Sequence, residues 1–340
     1  MIKPRIAVVG ATGAVGGLMY QILMERHFPH SEMVLFASER SVGTEVHGLT
    51  VQALTSESVK GFDFAFFSAG SSTSKKWAEA FAEGGAIVID NSSCWRMDKE
   101  VPLVVTEVNS HALRSIPKGI IANPNCVTMA VLVALAPLHR AFGLERFVGT
   151  TYQAAGGAGQ KGIDELSSQV LSLYEQREDL VKDGIIAYES VDEYPVHGKP
   201  LAFNVIPLLG KEEDNHFTDE ELKLVYESRK ILEIPELAVA PSCIRVPVYV
   251  GHSIQIQATF LEEISVKEVK SVLAEAPGVI LDEVPTPMEW AGCDEVIVGR
   301  VRRDLFDEKT VHIFVVNDNL RKGAALNAVQ IAEEMIKLAD

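Results

Sequence analysis

Cys126 has the sequence setting of a reactive thiol. It closes the segment GIIANPNC, in which an apolar run is followed by the turn sequence Asn-Pro-Asn, and it precedes the apolar stretch Val127–Leu138. This order predicts a strand, a turn and a helix that begins at Cys126. The dipole of a helix N-terminus stabilises a thiolate and lowers the pKa of a thiol, and its free N–H groups can receive an oxyanion. We therefore interpret Cys126 as a nucleophile rather than as a small core residue, the usual role of a buried cysteine.

The other three cysteines have no comparable setting. Cys94 lies in the polar segment NSSCW without an evident base, and nothing in their surroundings supports a role for Cys243 or Cys293. The four cysteines form no CxxC pair. A disulfide framework or a zinc ribbon is therefore not expected, and we predict no metal site. Sparse cysteines of this kind are typical of a reducing cytoplasm.

A glycine-rich segment, GATGAVG, stands between the strand-like run RIAVVG and the stretch LMYQILMERHF, which has helical spacing. Glycine permits a tight turn and a close backbone approach to a pyrophosphate, whose charge the helix N-terminus favours. The segment therefore predicts a dinucleotide site; the alternative is a glycine-rich turn that serves packing alone. The candidate contacts are Gly10, Thr12, Gly13, Ala14, Val15 and Gly16.

The end of the second predicted strand bears on the choice between NAD and NADP. An NAD site usually has an acidic residue there, which binds the ribose hydroxyls. Here MVLFA is followed by Ser38, Glu39, Arg40 and Ser41. Hydroxyl and guanidinium donors suit a 2′-phosphate, and strand alternation would point Glu39 away from Ser38 and Arg40. We predict NADP, with Glu39 as the one discordant residue.

The charge balance restricts the class of partner. A formal net charge of −16 makes nucleic acid an unsuitable partner, because phosphate backbones require stripes of Lys and Arg. An anionic substrate would need a local cationic pocket. The longest apolar run, Val127–Leu138, is too short to cross a membrane, and no secretory signal pattern precedes the first strand. We therefore expect a cytoplasmic protein that binds a small molecule.

The arrangement of apolar runs predicts an α/β protein. The first third alternates short buried strands with helical stretches, which implies βαβ units and a parallel sheet. Later strands such as SIQIQATF, EVIVGRVRR and TVHIFVVND alternate apolar and polar residues, as expected for a sheet whose faces differ. KGAALNAVQIAEEMIKL predicts a terminal helix, and 185–215 is a long irregular stretch. We predict a Rossmann-like dinucleotide-binding domain at 1–126, with 320–340 returning to it, and an α+β catalytic and dimerisation domain at 127–319.

The whole chain resembles the aspartate-β-semialdehyde dehydrogenase family. The matching motifs occur in the family's order and approximate spacing: GATGAVG, DNSSCWRMD, NPNCVT, TYQAAGGAG, DEELK, CIRVPVYVGHS, GRVRRD and NDNLRKGAALNAVQIAE. The resemblance implies NADPH-dependent reduction of β-aspartyl phosphate to aspartate-β-semialdehyde and phosphate, in lysine, threonine and methionine biosynthesis. It also implies a homodimer.

Carried over by motif, the resemblance gives each polar residue a role. Cys126 would form a thioester, His252 would be the acid/base residue, and Gln153 would orient the substrate beside the thiol. The other implied substrate contacts are Arg245 for the carboxylate, Glu220 for the ammonium, Arg96 and Lys223 for the phosphate, and Asn125. The further implied cofactor contacts are Ser68, Gly70, Asn91, Gly157, Asn319 and Lys322.

Two alternatives remain open on the sequence. N-acetyl-γ-glutamyl-phosphate reductase shares the chemistry, but its cysteine turn typically reads HPGC rather than NPNC. A non-catalytic nucleotide-binding homologue would be expected to lose the cysteine or the histidine, and Cys126 and His252 are both present. The sequence departs from the family pattern at Cys94-Trp95, where the family often has a small or aromatic residue before the arginine.

Overall fold

A computed structural model of the chain describes residues 3–191 and 193–339. The predicted domain limits at residues 1 and 340 lie outside the described residues. The strands are β1 (Arg5–Val9), β2 (Glu32–Phe36), β3 (Glu45–Val46), β4 (Leu49–Thr50), β5 (Phe64–Phe67), β6 (Ile87–Asp90), β7 (Ile120–Ala122), β8 (Leu144–Gln153), β9 (Ala238–Arg245), β10 (His252–Phe260), β11 (Val279–Leu281), β12 (Val296–Arg303) and β13 (Thr310–Asn317). The helices are α1 (Ala14–Glu25), α2 (Ser71–Glu83), α3 (Thr106–Asn109), α4 (Cys126–Phe142), α5 (Gln160–Tyr174), α6 (Arg177–Leu180), α7 (Ile186–Ser190), α8 (Asp219–Ile231), α9 (Val266–Ala274) and α10 (Asn327–Ala339).

The predicted parallel sheet is present in the first third of the chain. Its five strands lie in the order β2-β1-β5-β6-β7, and every pair is parallel. The strands are apolar and almost completely buried because helices cover both faces. The strand order reverses between β1 and β5, and ligands of open α/β sheets bind outside the carboxyl ends of the strands at such a point. The glycine segment after β1 therefore opens onto this crevice.

The second sheet is mixed and has six strands in the order β11-β12-β13-β10-β8-β9. The alternating strands predicted from the sequence form its centre, as β10, β12 and β13. Helices α4, α8 and α9 pack against one face. Helix α4 is buried along most of its length and contacts both this sheet and the turn that precedes α10. It therefore fixes the end of the first sheet to the second.

Three strands of the second sheet, β8, β9 and β11, were not predicted, and β11 has only three residues. β8 follows α4 after Gly143 alone, so no turn cluster marks its start. β9 contains Pro241, which argues against a central strand. The structure explains the proline, because β9 is the last strand in the sheet order and pairs with β8 on one side only. An edge strand tolerates the missing donor.

The C-terminal segment packs on the first sheet, but it is not one regular helix. Residues Arg321–Leu326 form π-helical turns before α10 begins at Asn327. Lys322 is completely buried in these turns, and its ammonium donates to both carboxylate oxygens of Glu107 at 2.7 and 2.8 Å and to Gln330 at 2.7 Å. Asn327 donates to the Val104 carbonyl at 2.9 Å. These contacts fasten the start of α10 to the segment that carries Val104 and α3.

The long irregular stretch 185–215 contains the short helix α7. Its other described residues form only isolated β-bridges, and residue 192 lies outside the described residues. Leu201, Ala202 and Ile206 are buried against α5 and form a small core of their own. In the part of the chain that the structure describes, no helix combines the length and the apolarity needed to cross a membrane.

The Lys322→Met variant should lower the free energy of unfolding by about 3–5 kcal/mol, because it leaves the Glu107 carboxylate buried without its counter-ion. Urea denaturation at neutral pH measures the change. Lys337→Met is the matched control: Lys337 pairs with Glu334 on the same helix but is exposed, so its loss should cost less than about 0.5 kcal/mol. Equal losses in both variants would contradict a stabilising role for the buried pair.

Candidate active site

Cys126 is the first residue of α4, as the sequence predicted. The Asn125 side chain caps the helix by accepting hydrogen bonds from the N–H groups of Val127 at 2.9 Å and Thr128 at 3.4 Å. Cys126 is half-buried and lines a cavity of about 260 Å³. The sulfur is therefore accessible from a pocket while its backbone is held by a long buried helix.

His252 faces the sulfur from the start of β10. Its Nε2 lies 3.2 Å from Sγ of Cys126, and its other ring nitrogen, Nδ1, accepts a hydrogen bond from the backbone N–H of Ala154 at 3.0 Å. The ring is completely buried. Burial and the nearby Arg245 guanidinium lower the pKa of His252 to about 3. The imidazole is therefore neutral at physiological pH.

The predicted lowering of the thiol pKa is wrong. Burial, followed by the negative charge of Glu220, raises the pKa of Cys126 to about 12, although Arg96 and Arg245 act in the opposite direction. The helix N-terminus is present, but burial and the Glu220 carboxylate of α8 outweigh its effect on the thiol pKa. The resting sulfur is a neutral thiol beside a neutral imidazole.

Glu220 stands at the centre of a polar cluster beside the cysteine. It accepts hydrogen bonds from the side-chain amides of Asn125 at 3.0 Å and Gln153 at 3.3 Å, and from the Lys223 ammonium at 3.0 Å. Burial alone would raise the pKa of Glu220, but Lys223 and the two amides hold it below its ordinary value. The structure thus brings three other predicted residues together around the ionised carboxylate of Glu220.

Arg96 is held rigidly at the other side of the cavity. Its guanidinium donates to the carbonyls of Asn123 at 2.9 Å and Asn91 at 2.8 Å, and to the Glu227 carboxylate at 2.9 Å. The second oxygen of Glu227 accepts from the backbone N–H of Asn125 at 2.7 Å. Glu227 is 2% exposed and was missed by sequence reasoning.

A helical spacing could have revealed Glu227. It lies seven residues after Glu220 and four after Lys223 on α8, so the three share one helix face. Once the first two are assigned to the site, the third is expected to point the same way. The departure at Cys94-Trp95 leaves this arrangement intact, because Trp95 is buried and donates to the Ser74 hydroxyl at 3.1 Å.

Arg245 is the last residue of β9, where it pairs in register with Gln153 of β8. The guanidinium is buried and donates to the Ala154 carbonyl at 2.5 Å, while its Nε has no partner among the described residues. An unpaired donor on a buried cation is costly. A carboxylate bound here would satisfy it.

Two glycines leave room for these side chains. A Cβ on Gly157 would lie 2.8 Å from the Arg245 guanidinium and 3.2 Å from the His252 ring. A Cβ on Gly323 would lie 2.8 Å from the Cβ of Cys126. Gly323 was not predicted as a site residue, although its position in the motif NDNLRKG could have indicated it. The absence of side chains at both positions allows the imidazole, the guanidinium and the thiol to meet.

A groove of about 1110 Å³ lies along the carboxyl ends of β1 and β5 and fits a dinucleotide. Gly10 has a φ of +92°, and a Cβ there would lie 2.5 Å from the Ser68 carbonyl oxygen, so only glycine is suitable. The cavity beside Cys126 shares Ser68 and Gly70 with this groove. The predicted cofactor residues that line one or both are Gly10, Thr12, Gly13, Val15, Ser38, Ser68, Gly70, Asn91, Gly157 and Asn319.

Buried amides near the cysteine also fit a dinucleotide. The Nδ2 atoms of Asn91 and Asn319 are buried without a partner among the described residues, and both side chains line the cavity beside Cys126. Such donors suit the polar groups of a nicotinamide ring and its ribose. Lysines 76 and 161 line the groove as well and were missed, because isolated lysines on helices carry no motif.

Five predicted cofactor residues line neither the groove nor the cavity beside Cys126. Ala14 begins α1, and Gly16 packs against Gly10, whose carbonyl oxygen would lie 2.1 Å from an added Cβ. Lys322 is wrong as a side-chain contact, since its ammonium points into the interior toward Glu107. The other two residues, Arg40 and Ser41, belong to a short 3-10 turn.

The 3-10 turn at Glu39–Ser41 gives Glu39 a different orientation from the one predicted. Strand alternation predicted that Glu39 points away and Arg40 points toward the cofactor. The chain instead leaves β2 at Phe36 and turns over Glu39–Ser41, so alternation does not apply. Glu39 lines the groove beside Ser38, and Arg40 does not.

Comparisons with known proteins agree with this arrangement. Residues 5–116 match the family described as semialdehyde dehydrogenase, NAD binding domain, and residues 135–322 match semialdehyde dehydrogenase, dimerisation domain. The chain is 53% identical to an aspartate-semialdehyde dehydrogenase of Streptomyces akiyoshiensis, over 97% of each chain. It is 46% identical to one of Aquifex aeolicus, over 98% of each.

A solved structure gives the same result. The crystal structure of aspartate semialdehyde dehydrogenase II of Vibrio cholerae, complexed with ASA, superposes with a TM-score of 0.91. It is 40% identical in sequence, and the match covers 99% of both chains. The chain therefore shares its fold with this protein.

The Glu220→Gln variant should lower the pKa of the Cys126 thiol, because the Glu220 carboxylate is the largest charge contribution that raises it. Alkylation of Cys126 as a function of pH measures the change: the rate should rise at lower pH than in the wild type. Glu262→Gln, an exposed carboxylate outside the cluster, is the control. An unchanged or higher pH midpoint in Glu220→Gln would contradict the electrostatic account.

Proposed function

This chain belongs to the aspartate-semialdehyde dehydrogenase family, and we propose that it catalyses the NADPH-dependent reduction of β-aspartyl phosphate to aspartate-β-semialdehyde and phosphate. The reaction supplies lysine, threonine and methionine biosynthesis. The observation that carries the proposal is the position of the Cys126 sulfur, 3.2 Å from His252 and between a dinucleotide groove and a cluster of two arginines, a lysine and a glutamate.

Cys126 is the nucleophile of the proposed reaction. Its sulfur attacks the acyl carbon, and the phosphate leaves as a thioester forms. When bound in the groove, NADPH supplies the hydride that reduces this thioester. The resulting hemithioacetal breaks its C–S bond to release the aldehyde. Since Asn125 and Glu227 accept from the neighbouring N–H groups, the backbone N–H of Cys126 and the His252 imidazole are the donors available to an oxyanion on that carbon.

The substrate charges match the charged residues of the site. Arg245 has an unpaired buried Nε suited to the α-carboxylate, and the ionised Glu220 suits the ammonium. Arg96 and Lys223 both line a cavity of about 440 Å³ next to the cysteine cavity, where they suit the phosphate. Gln153, hydrogen-bonded to Glu220, orients the substrate beside the thiol. Arg96 and Lys223 thus provide the local cationic pocket that an anionic substrate requires in an acidic protein.

Glu220 also separates this function from its nearest rival. The substrate of N-acetyl-γ-glutamyl-phosphate reductase carries an acetylated, uncharged amine. Lys223 pairs with one oxygen of Glu220, and the other oxygen accepts only from the neutral amides of Asn125 and Gln153. An acetylated amine would bring no positive charge to that second oxygen. The free ammonium of β-aspartyl phosphate supplies that charge.

NADP is the proposed cofactor, with the nucleotide lying along the groove at the first sheet. Gly10, Thr12 and Gly13 would bind the pyrophosphate at the start of α1. Ser38 and the two lysines 76 and 161 supply donors and positive charge for the 2′-phosphate. Glu39 in the same groove opposes this preference, so activity with both nucleotides is the decisive comparison.

The assay is phosphate-dependent reduction of NADP with aspartate-β-semialdehyde, followed by NADPH absorbance. We expect turnover that exceeds the rates with N-acetyl-γ-glutamyl semialdehyde and with NAD. Cys126→Ala should reduce kcat by about 10⁴-fold or more, because the covalent route is lost, while NADP binding stays nearly unchanged. Cys94→Ala is the matched control and should retain activity. Full turnover without Cys126, or a preference for the acetylated substrate, would contradict the proposal.

We also propose that the chain works as a homodimer through an apolar surface formed by part of the dimerisation-domain match. Leu171 and Tyr174 of α5 are exposed there, together with Phe203, Val205 and Leu208. Phe203 is 60% exposed and has a left-handed backbone, with a φ of +60°. Exposed apolar residues concentrated on one surface mark an interaction site, and a second copy of this chain is the partner that the family description supports.

Light scattering should give twice the mass of one chain for the wild type. The double variant Phe203→Asp, Val205→Asp should shift the mass toward one chain, because it buries charge in the interface. Aspartate tolerates the backbone of residue 203. Phe306→Asp is the control, since Phe306 is 95% exposed in the turn between β12 and β13 and outside this surface. A wild-type monomer, or a dimer unaffected by the double variant, would contradict the proposed surface.

We propose residues 1–126 with 320–340 as the NADP-binding domain and 127–319 as the catalytic and dimerisation domain. The two separate sheets and the packing of α10 on the first sheet support these limits. We propose a cytoplasmic location, supported by the four cysteines, all of which are unpaired thiols.

A further inference from the structure

The segment that carries Arg96 has no regular secondary structure of its own. Residues 91–102, here called the Arg96 loop, connect β6 to the segment before α3 and contain no helix or strand. Loops of this kind are usually more mobile than the elements they connect. A guanidinium that binds phosphate must nevertheless be held within about 0.5 Å of its working position. Arg96 therefore needs support from outside its own loop.

Lys230 of α8 supports the backbone of the Arg96 loop. Its ammonium donates to the carbonyl oxygens of Arg96 at 2.8 Å, Asp98 at 2.7 Å and Val101 at 2.8 Å. An ammonium has three N–H donors, so these three carbonyls use all of them. Burial lowers the pKa of Lys230, but the carboxylates of Asp98 and Glu227 act in the opposite direction and favour the cation. One half-buried charge thus fixes three points of the loop.

Glu227 holds the side chain of the same arginine. Its carboxylate accepts from the Arg96 guanidinium at 2.9 Å, and the carbonyls of Asn123 and Asn91 accept from the other two nitrogens at 2.9 and 2.8 Å. These three contacts use three of the five N–H donors of a guanidinium. Two donors are enough for a bidentate contact with a phosphate. The side chain can therefore bind an anion without leaving its supports.

One face of α8 contacts or carries both of the cations that we assign to phosphate. Glu220, Lys223, Glu227 and Lys230 follow one another at intervals of three, four and three residues, which places them on one face of the helix. Lys223 belongs to this face, and Glu227 and Lys230 hold Arg96. Helix α8 packs on the second sheet, whereas the Arg96 loop leaves the first sheet. The distance between the two cations is therefore set by α8.

We propose that Glu227 and Lys230 are positioning residues for phosphate binding, which hold Arg96 at its guanidinium and at its backbone so that Arg96 and Lys223 reach the same phosphate. The inference rests on the proposed function, because that function makes phosphate the ligand of Arg96. Lys230 lines neither the cavity of Arg96 and Lys223 nor the cavity beside Cys126. Its effect on phosphate must therefore act through the loop.

Lys230→Met keeps the length of the side chain and removes its donors. In phosphate-dependent reduction of NADP, the KM for phosphate should rise about 10-fold to 100-fold, because the guanidinium of Arg96 loses its fixed position. The KM for aspartate-β-semialdehyde should stay close to the wild-type value, because Arg245 and Glu220, which we assign to its carboxylate and ammonium, do not touch the Arg96 loop. An equal rise of both KM values would overturn the proposal.

Arg229→Met is the matched control for Lys230→Met. Arg229 precedes Lys230 on α8 and also donates to a backbone carbonyl, that of Leu237 at 2.9 Å, but this carbonyl lies outside the Arg96 loop. The control loses the same charge and a contact of the same kind. Its KM for phosphate should equal that of the wild type, and a rise as large as in Lys230→Met would overturn the positioning role.

Lys230→Arg separates position from charge. A guanidinium keeps the positive charge, but its planar donors cannot converge on three carbonyls as an ammonium does. We expect phosphate to bind more weakly in this variant as well. Wild-type affinity for phosphate would show that charge alone is sufficient and would overturn the proposal. The same comparison decides the question if Lys230→Met does not fold.

Glu227→Asp tests the contact at the guanidinium. Aspartate keeps the carboxylate but is shorter by one methylene group, so it cannot reach both Arg96 and the backbone N–H of Asn125, which Glu227 contacts at 2.9 and 2.7 Å. The KM for phosphate should again rise more than the KM for aspartate-β-semialdehyde. An unchanged KM for phosphate would overturn the part of the proposal that concerns Glu227.

Alkylation of Cys126 by iodoacetamide measures phosphate binding without turnover. Arg96 and Cys126 line the same cavity, so inorganic phosphate should slow the alkylation of the wild type, and Lys230→Met should need higher phosphate concentrations for the same protection. Equal protection of both proteins, or no protection of the wild type, would overturn the proposal. The expected difference in proteins that do not turn over aspartate-β-semialdehyde would refute the substrate assignment and leave the positioning role intact.

Discussion

The site depends on the contact between the start of α4 and two carboxylates of α8. Glu220 accepts from the side chain of Asn125, and Glu227 accepts from its backbone N–H while it also binds Arg96. The cysteine therefore follows a residue whose side chain and backbone are both bonded to α8, and Glu227 connects this contact to Arg96. Buried hydrogen bonds of charged groups are strong when every partner is satisfied. Glu220 also pairs with Lys223, and Glu227 pairs with Arg96, so these contacts hold both cations near the Cys126 sulfur.

The electrostatics of this site differ from those of a cysteine–histidine ion pair. Two buried neutral groups face each other, and the formal charges lie around them on Glu220, Lys223, Arg96 and Arg245. The charges of the site therefore lie on the four residues that we propose bind the substrate. Under the proposed function, a substrate ammonium beside Glu220 would offset the carboxylate charge that helps to raise the pKa of the Cys126 thiol.

Local patterns in the sequence predicted the parts of the structure that depend on neighbours in the chain. The glycine turn after β1, the helix start at Cys126 and the central strands of both sheets follow from turn residues and periodicity. His252 could be identified only by resemblance, because it is one of nine histidines with no local signal. The thiol pKa, the burial of Lys322 and the turn at Glu39 could not be predicted, since each depends on residues that are distant in sequence or on a backbone that leaves the strand. No prediction was made for β9; its Pro241 is acceptable because β9 lies at the edge of the sheet, and edge position is a property of the sheet, not of the segment.

The return of the C-terminus to the first sheet has a consequence for biosynthesis of the chain. Lys322 and Asn327 join α10 to the segment around Val104 and Glu107, and the apolar face of α10 completes the core that the first strands begin. During translation, domains generally fold as units from the N-terminus, but here the layer that α1 begins on the first sheet stays incomplete until α10, which follows the whole second sheet in the chain, has left the ribosome. The nascent nucleotide-binding half must therefore wait, with part of that face uncovered, while the second sheet is synthesised.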